Sequence, residues 1–214
     1  MTPLQSGRVT ACGTRSRTIL QRQIGFSLIE MMTVMSILLI VTGIGFITLK
    51  PALNQIRVAN AYNTTLMTMR RAREAAIGQR RTYIVTFSNA AVPNTVTIAP
   101  ASVTPGGLNV TYTLPNDVVF TAMAGLPAVA PDGFGSGVTA IDFDQNVSGG
   151  NARAIYFMPD GSAQDINSNT NNGIVYMGRP GELYSSMAIT LWGATGRLRG
   201  WKLANAAGPT WRQQ

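Results

Sequence analysis

The chain contains no histidine and a single cysteine, Cys12, among its 214 residues. It therefore offers no imidazole base, no disulfide and no cysteine or histidine cluster for zinc. The patterns typical of serine hydrolases and of phosphate-binding glycine loops are also missing. These absences argue against an enzyme, and neither a cofactor nor a metal is expected.

Charged residues are scarce and unevenly placed. Lys and Arg number 17 against 9 Asp and Glu, which gives a formal net charge of +8. Four arginines precede Gly25 and no acid does, so removal of this segment lowers the net charge to +4: Arg8, Arg15, Arg17 and Arg22. The segment lacks hydrophobic periodicity, and we do not expect it to fold alone.

An uncharged run of mostly apolar residues follows at 31–49. Together with residues 26–29 it approaches the roughly 20 residues that a helix needs to cross a bilayer. The run ends at Lys50 and Pro51 without the small-residue cleavage site of a secretory signal, so it is expected to stay in the mature protein. The excess of arginine before the run predicts a cytoplasmic N-terminus.

A helical pattern continues beyond Pro51, with residues that recur every three or four positions: Leu53, Ile56, Ala59, Asn63, Leu66, Arg70, Arg73 and Ile77. The first half of this stripe is expected to pack on a sheet, and Gly78 is expected to cap the helix. Pro51, with Gly43 and Gly45, predicts a kink or local loosening.

From Arg81 onward the hydrophobic period falls to two, which is typical of short strands. Strands are predicted at 81–88, 95–99, 109–114, 118–121, 139–143, 154–158, 174–177, 188–192 and 197–203. The stretches 122–138 and 162–173 are predicted to be loops, the second of them mobile. The expected fold class is α+β, in which a long N-terminal helix packs on an antiparallel β-rich head.

The hexapeptide Gly25-Phe26-Ser27-Leu28-Ile29-Glu30 lies between the basic segment and the apolar run. In this combination the chain closely resembles the type IV pilin-like proteins. Two further parts are similar to the GspH/FimT branch, which comprises the H-type minor pseudopilins of type II secretion and FimT-like minor pilins. These are 69–76 with the strand at 82–87, and 157–162 with the late hairpin that reaches Gly196-Arg197-Leu198-Arg199.

The resemblance implies four segments: a cleaved prepilin leader at 1–25, a transmembrane half-helix at 26–50, an outer amphipathic half at 51–80 and a β-rich head at 81–214. It implies that prepilin peptidase cuts between Gly25 and Phe26 and methylates the new amine of Phe26. Glu30 is implied to be an assembly residue that pairs with the Phe26 ammonium of a neighbouring subunit. From the residues alone, a hydrated Glu30 at headgroup level stays an alternative.

The implied function is that of a minor pilin or pseudopilin, assembled into a type II secretion pseudopilus or a type IV pilus. The sequence does not choose between these two filaments. The implied partners are other pilins, prepilin peptidase, the inner-membrane platform with its assembly ATPase, and the membrane. The implied location is the bacterial inner membrane, with a single pass and a periplasmic head.

The C-terminal part offers an alternative function through four cations that alternate with tryptophans: Arg197, Arg199, Lys202 and Arg212, with Trp192, Trp201 and Trp211. Cations for phosphates beside rings for stacking are typical of sequence-independent nucleic-acid binding. FimT-like relatives bind DNA near this end, so the alternative is a DNA-binding minor pilin for DNA uptake. The competing structural reading is a final hairpin with its arginines in solvent and Leu198 packed inward.

Two acidic stretches begin like calcium loops: Asp142-x-Asp144-x-Asn146 and Asp165-x-Asn167-x-Asn169. Both lack the glycine at the sixth position and the glutamate at the twelfth that such a loop requires. Solvated turns are the expected structures, and a calcium cage of another kind stays an alternative.

Overall fold

The computed structural model describes residues 25–102, 105–135, 137–143, 153–165, 167–206 and 208–214. The predicted leader up to residue 24, with Cys12, therefore lies outside the described residues. The chain divides into two compact units, one ending at Ile47 and the other running from Thr48 to Gln214. One helix, α1 (Leu28–Gln79), supplies residues to both units.

The described part of the first unit is the apolar start of α1, and its side chains are exposed from residue 25 to residue 46. The helix is long and apolar enough to cross a membrane, and its most apolar window buries nothing against the rest of the chain. Its few hydroxyls bond to carbonyls of the preceding turn, as in Ser36 to Met32 at 2.8 Å and Thr42 to Leu38 at 2.6 Å. Polar groups satisfied within the helix are compatible with a hydrocarbon environment.

In the second unit α1 buries a stripe that differs from the predicted one: Val58, Ala61, Tyr62, Thr65, Leu66, Thr68, Met69, Ala72 and Ala76. The prediction that the first half of the stripe packs on a sheet was wrong at Leu53 and Ile56, which are 43% and 54% exposed. The helix continues through Pro51.

Small and hydroxyl-bearing residues explain the choice of face. Three alanines in the buried stripe let the sheets approach the helix closely, which larger apolar residues on the neighbouring face would prevent. The buried Thr65 and Thr68 donate their hydroxyls to the carbonyls of Ala61 and Thr64 at 2.8 and 2.6 Å. Their burial therefore leaves no hydroxyl donor without a partner.

The C-terminal end of α1 lies beyond the predicted cap. Arg81 N–H donates to the Ala76 carbonyl at 3.1 Å and Arg80 N–H to the Ile77 carbonyl at 3.3 Å. This pair of bonds is a Schellman motif, and its left-handed residue is Arg80 at φ 50°. The prediction that Gly78 caps the helix was therefore wrong, because the left-handed position comes two residues later.

Two five-stranded antiparallel sheets follow the helix. The first has the order β3-β2-β1-β5-β6, and the second has the order β10-β9-β8-β7-β4. The strands are β1 (Tyr83–Ser88), β2 (Thr95–Pro100), β3 (Val110–Thr113), β4 (Ile141–Asp142), β5 (Ala154–Phe157), β6 (Ala163–Gln164), β7 (Gly173–Met177), β8 (Met187–Trp192), β9 (Arg197–Asn205) and β10 (Pro209–Gln213). One core joins the buried stripe of α1 to apolar side chains of both sheets. The predicted α+β class, a long apolar helix followed by antiparallel sheets, is confirmed.

Three strand predictions differ from the structure. The predicted strand at 118–121 is reduced to a single bridge between Val119 and Gly178. β6 and β10 were missed because β6 is two residues long and because β10 begins with proline and lacks apolar alternation. The predicted loop 162–173 contains β6, and the predicted loop 122–138 contains a short 3-10 turn at Pro131–Gly133.

The left-handed Arg80 generates a stability prediction. Arg80→Gly should raise the free energy of unfolding by about 1 kcal/mol, because a side chain with a β-carbon is strained at positive φ and glycine is not. Urea unfolding of the full chain in detergent measures the change. Arg81→Gly is the matched control and should not stabilise; equal effects of the two substitutions would contradict the explanation.

Candidate functional site

The N-terminal hexapeptide is split by the start of α1. Gly25 and Phe26 lie outside the helix, Phe26 is 76% exposed, and open space surrounds the position of a β-carbon at Gly25. Met31 N–H donates to the Ser27 carbonyl at 3.1 Å, which makes Ser27 the residue that precedes the first turn. The bond between Gly25 and Phe26 is therefore in exposed, non-helical chain.

Glu30 lies in the first turn of α1, where free N–H groups carry partial positive charge. Ser27 and Glu30 have the spacing of a capping box, a pattern that is visible in the sequence but was not predicted from it. The spacing gives the carboxylate a second use at the helix terminus, beside the ion pair that the resemblance implies. Both uses place negative charge at the same end of the helix.

Three of the four C-terminal cations lie on β9, divided between its two faces, and Arg212 lies on β10. Arg197 and Arg199 lie on one face, and Leu198, which packs against the core, lies on the other. Lys202 lies on the face of Leu198 and lines a groove with Val58 of α1. The cations and tryptophans do not form one surface.

Arg199 is engaged within the head. Its Nη1 donates to Asp132 Oδ1 at 2.8 Å, and its guanidinium carbon lies 5.6 Å from the ring centroid of Trp192. The Asp132 side chain is only 7% exposed, and its other oxygen accepts the Thr190 hydroxyl at 2.6 Å. Thr190 in turn accepts the Trp201 Nε1–H at 3.0 Å. Arg199 and Trp201 therefore belong to an internal network.

The other tryptophans also pack on the head. Trp192 meets Phe134 edge-on at 5.0 Å, and Trp211 lies 5.8 Å from Tyr176. Burial, together with the nearby Asp142 carboxylate, raises the pKa of Tyr176 to about 12. Trp192 and Trp211 therefore each pack on another aromatic side chain of the head.

Arg73 brings together three segments that are distant in sequence. Its Nε donates to the Gly161 carbonyl at 3.0 Å, and its Nη2 donates to the Thr195 carbonyl at 2.9 Å. Gly161 and Gly196 have φ of +85° and +60°, and a β-carbon on either would press against Arg73. The helix segment, the β5–β6 turn and the β8–β9 turn therefore meet at one guanidinium.

An open cleft of about 440 Å³ lies beside this contact. It is lined by Arg70, Arg73 and Arg197, with Glu74 as its one acidic side chain. Among the described residues neither Arg70 nor Arg197 forms an ion pair, so the cleft carries net positive charge.

The turn next to the cleft is held by Asp160. Its Oδ1 accepts the Ser162 hydroxyl at 2.6 Å and the Ser162 N–H at 2.8 Å. These hydrogen bonds lower the pKa of the Asp160 carboxyl. The ionised carboxylate therefore shapes the turn whose Gly161 carbonyl receives Arg73.

The Asp165 stretch is a turn whose residues 167–170 are exposed, as the sequence predicts, but Asp165 itself is buried. Asp165 is 2% exposed, and its carboxylate accepts the N–H groups of Asn167 and Asn169 at 2.8 and 2.9 Å and the Asn171 amide at 2.7 Å. Amide donors replace water around the anion, which explains its burial. The described residues contain no cluster of three or more metal-binding side chains, and Asp144 and Asn146 lie outside them.

Comparison with known proteins assigns the N-terminal segment. Residues 20–46 match the family model for the prokaryotic N-terminal methylation motif. No curated protein and no solved structure shows significant similarity to the chain. The matched segment contains Gly25, Phe26 and Glu30, so the chain carries a type IV pilin-like prepilin signal ahead of a pilin-like α+β architecture.

The division of the arginines on β9 generates a second prediction. Arg199→Ala should lower the free energy of unfolding by about 1–3 kcal/mol, because it leaves the buried Asp132 carboxylate without its cation. Arg197→Ala, on the same strand face but exposed, should change it by less than about 0.5 kcal/mol. Urea unfolding of the full chain in detergent tests both, and equal losses would contradict the assignment.

Proposed function

We propose that this chain is a minor pilin or pseudopilin subunit of the GspH/FimT branch, built into a type II secretion pseudopilus or a type IV pilus. The observation that carries the proposal is the methylation motif at residues 20–46, placed directly on an exposed apolar helix that continues into a β-rich head. The activity is assembly and not catalysis.

The N-terminal geometry supports processing at Gly25. The peptide bond before Phe26 lies outside α1, and the absence of a side chain at Gly25 leaves room for a peptidase to approach. Prepilin peptidase removes residues 1–25 on the cytoplasmic side and methylates the new amine. The leader arginines then serve only to orient the helix in the inner membrane before the cut, with the head in the periplasm.

Glu30 supports the assembly step. A carboxylate within an apolar run costs roughly 2.5–3.5 kcal/mol in the bilayer centre, so a cationic partner is favoured. The Phe26 amine of a neighbouring subunit supplies that charge when the helix leaves lipid for a filament. The apolar side chains of 31–46, exposed in the single chain, are then covered by neighbouring helices under the action of the platform protein and the ATPase.

The contacts of Arg73 support the assignment to the branch. The segments that resemble it are distant in sequence, since Arg73 lies 88 residues before Gly161 and 122 before Thr195. The structure nevertheless joins them through two hydrogen bonds. The segments on which the resemblance depends therefore lie at one contact in the folded head.

Processing and assembly are tested by two substitutions. Mass spectrometry of the membrane fraction should show a chain that begins at a singly methylated Phe26, whereas Gly25→Val should retain residues 1–25 because the peptidase pocket excludes the larger side chain. Glu30→Gln controls for processing and tests assembly. It should be cleaved and methylated like the original chain but should fail to enter sedimentable filaments. A cut elsewhere, or an uncut original chain, would contradict the proposal.

A second candidate function, DNA binding in the manner of FimT-like pilins, is favoured by the arginine cleft. Arg70 and Arg197 are exposed and flank Arg73, whose position two carbonyls hold. Positive side chains without acidic partners are the ordinary contacts of nucleic-acid phosphates. Arg199 is not among the residues that we propose for this role, since Asp132 already neutralises it.

The DNA candidate makes its own prediction. Arg70→Ala with Arg197→Ala should weaken binding of a short DNA duplex to the full chain in detergent, and should make the salt dependence shallower by about two charges. Arg71→Ala is the matched control, because Arg71 points its Nη1 at the Tyr112 hydroxyl, 2.8 Å away, and does not line the cleft. Unchanged binding in the double variant, or equal loss in the control, would exclude this cleft.

A further inference from the structure

A groove of about 430 Å³ lies between the outer part of α1 and the turn before β8. Its walls are mostly apolar and include Val58, Ala59, Leu183 and Met187. Its polar side chains are those of Gln55, Glu182, Tyr184, Ser185 and Lys202, and the Glu182 carboxylate is paired with Arg179. An apolar groove whose acid is already paired and whose one cation is not matches an amphipathic anion better than it matches a sugar or a peptide backbone.

Two cations oppose each other near this groove. Lys202 of β9 is directly paired with Arg212 of β10, so their side chains share one face of the sheet. Like charges in this arrangement destabilise a sheet unless an anion accompanies them. Both residues are exposed, and neither forms an ion pair with any residue that the structure describes.

The acids nearest the groove are already engaged. Asp117 accepts Arg57 at 3.2 Å and lies 3.8 Å from Arg179, while Glu182 pairs with Arg179. None of these carboxylates is paired with Lys202 or Arg212. The charge of that pair is therefore available to an anion from outside the chain.

The groove lies close to the end of the apolar run. Gln55, which lines it, comes six residues after Leu49, so even a fully extended chain would separate the two by no more than about 20 Å. Within a helix the separation is about 9 Å. Tyr184, at the groove, is 43% exposed, and exposed tyrosines are enriched where protein meets lipid headgroups.

We propose that this groove binds the headgroup of an anionic phospholipid from the bilayer that holds α1. The phosphate lies between Lys202 and Arg212, and the glycerol and first methylenes lie along Val58 and Leu183. The proposal rests on the membrane anchoring in the proposed function. A nucleic acid fits less well, because the groove walls are aliphatic and offer no paired aromatic faces for bases.

The test uses the mature chain, which contains no cysteine after Gly25. Gln55→Cys places one thiol in the groove for an environment-sensitive fluorophore, and the labelled chain is incorporated into phosphatidylcholine vesicles with increasing brominated phosphatidylglycerol. Fluorescence quenching should begin at low fractions of brominated phosphatidylglycerol. At equal fractions it should exceed the quenching that brominated phosphatidylcholine causes. Lys202→Gln with Arg212→Gln should raise the half-quenching fraction about tenfold, since each basic residue near an anionic surface contributes attraction.

Arg71→Gln is the matched control, because Arg71 is an exposed arginine of α1 that lines neither this groove nor the arginine cleft, and it should leave the half-quenching fraction unchanged. Failure of the chain to enter vesicles would refute the membrane anchoring itself. Normal entry with equal quenching by both lipids, or with no effect of the double substitution, would overturn the lipid site alone. Loss of quenching on addition of a DNA duplex would also overturn it, by assigning the cation pair to nucleic acid.

Discussion

The apolar start of α1 cannot remain exposed to water, and the rest of the molecule is arranged around that constraint. Large side chains such as Phe26, Leu39 and Phe46 are between 68% and 76% exposed in the single chain. At about 25 cal/mol per Å², a surface of this kind requires either lipid or other apolar helices. The hydroxyls of this segment bond within the helix and demand no water in either environment.

Beyond the apolar run, α1 becomes the spine of a head with two sheets, and Arg73 shows how the two are joined. Its guanidinium donates to the turn between the last strands of the first sheet and to the turn between two strands of the second. A half-buried cation that satisfies two backbone carbonyls orders both turns with respect to the helix. The glycines at 161 and 196 permit this approach, because a β-carbon at either would collide with the arginine.

The sequence predicted the elements better than it predicted their faces. The long helix and the central strands follow from hydrophobic period, which is a local property. The buried stripe of α1 does not follow from this period, because it includes alanines and threonines that pack against the sheets, whereas the larger apolar Leu53 and Ile56 are exposed. Likewise Gly78 was a reasonable cap by residue type, and only tertiary geometry places the left-handed residue at Arg80. The hexapeptide could be recognised in the sequence because the methylation motif is defined by the order of its residues.

The distribution of cations illustrates the same limit at the level of function. Composition treats Arg197, Arg199, Lys202 and Arg212 as equivalent charges on one hairpin. Strand alternation separates Lys202 and Leu198 from the two arginines, and a single buried acid then removes Arg199 from the surface chemistry. A cation stabilises the head where an acid from a distant part of the chain reaches it, and it is available to an outside anion where none does. Asp132, 67 residues before Arg199, is such an acid, and no local sequence pattern predicts its contact with Arg199.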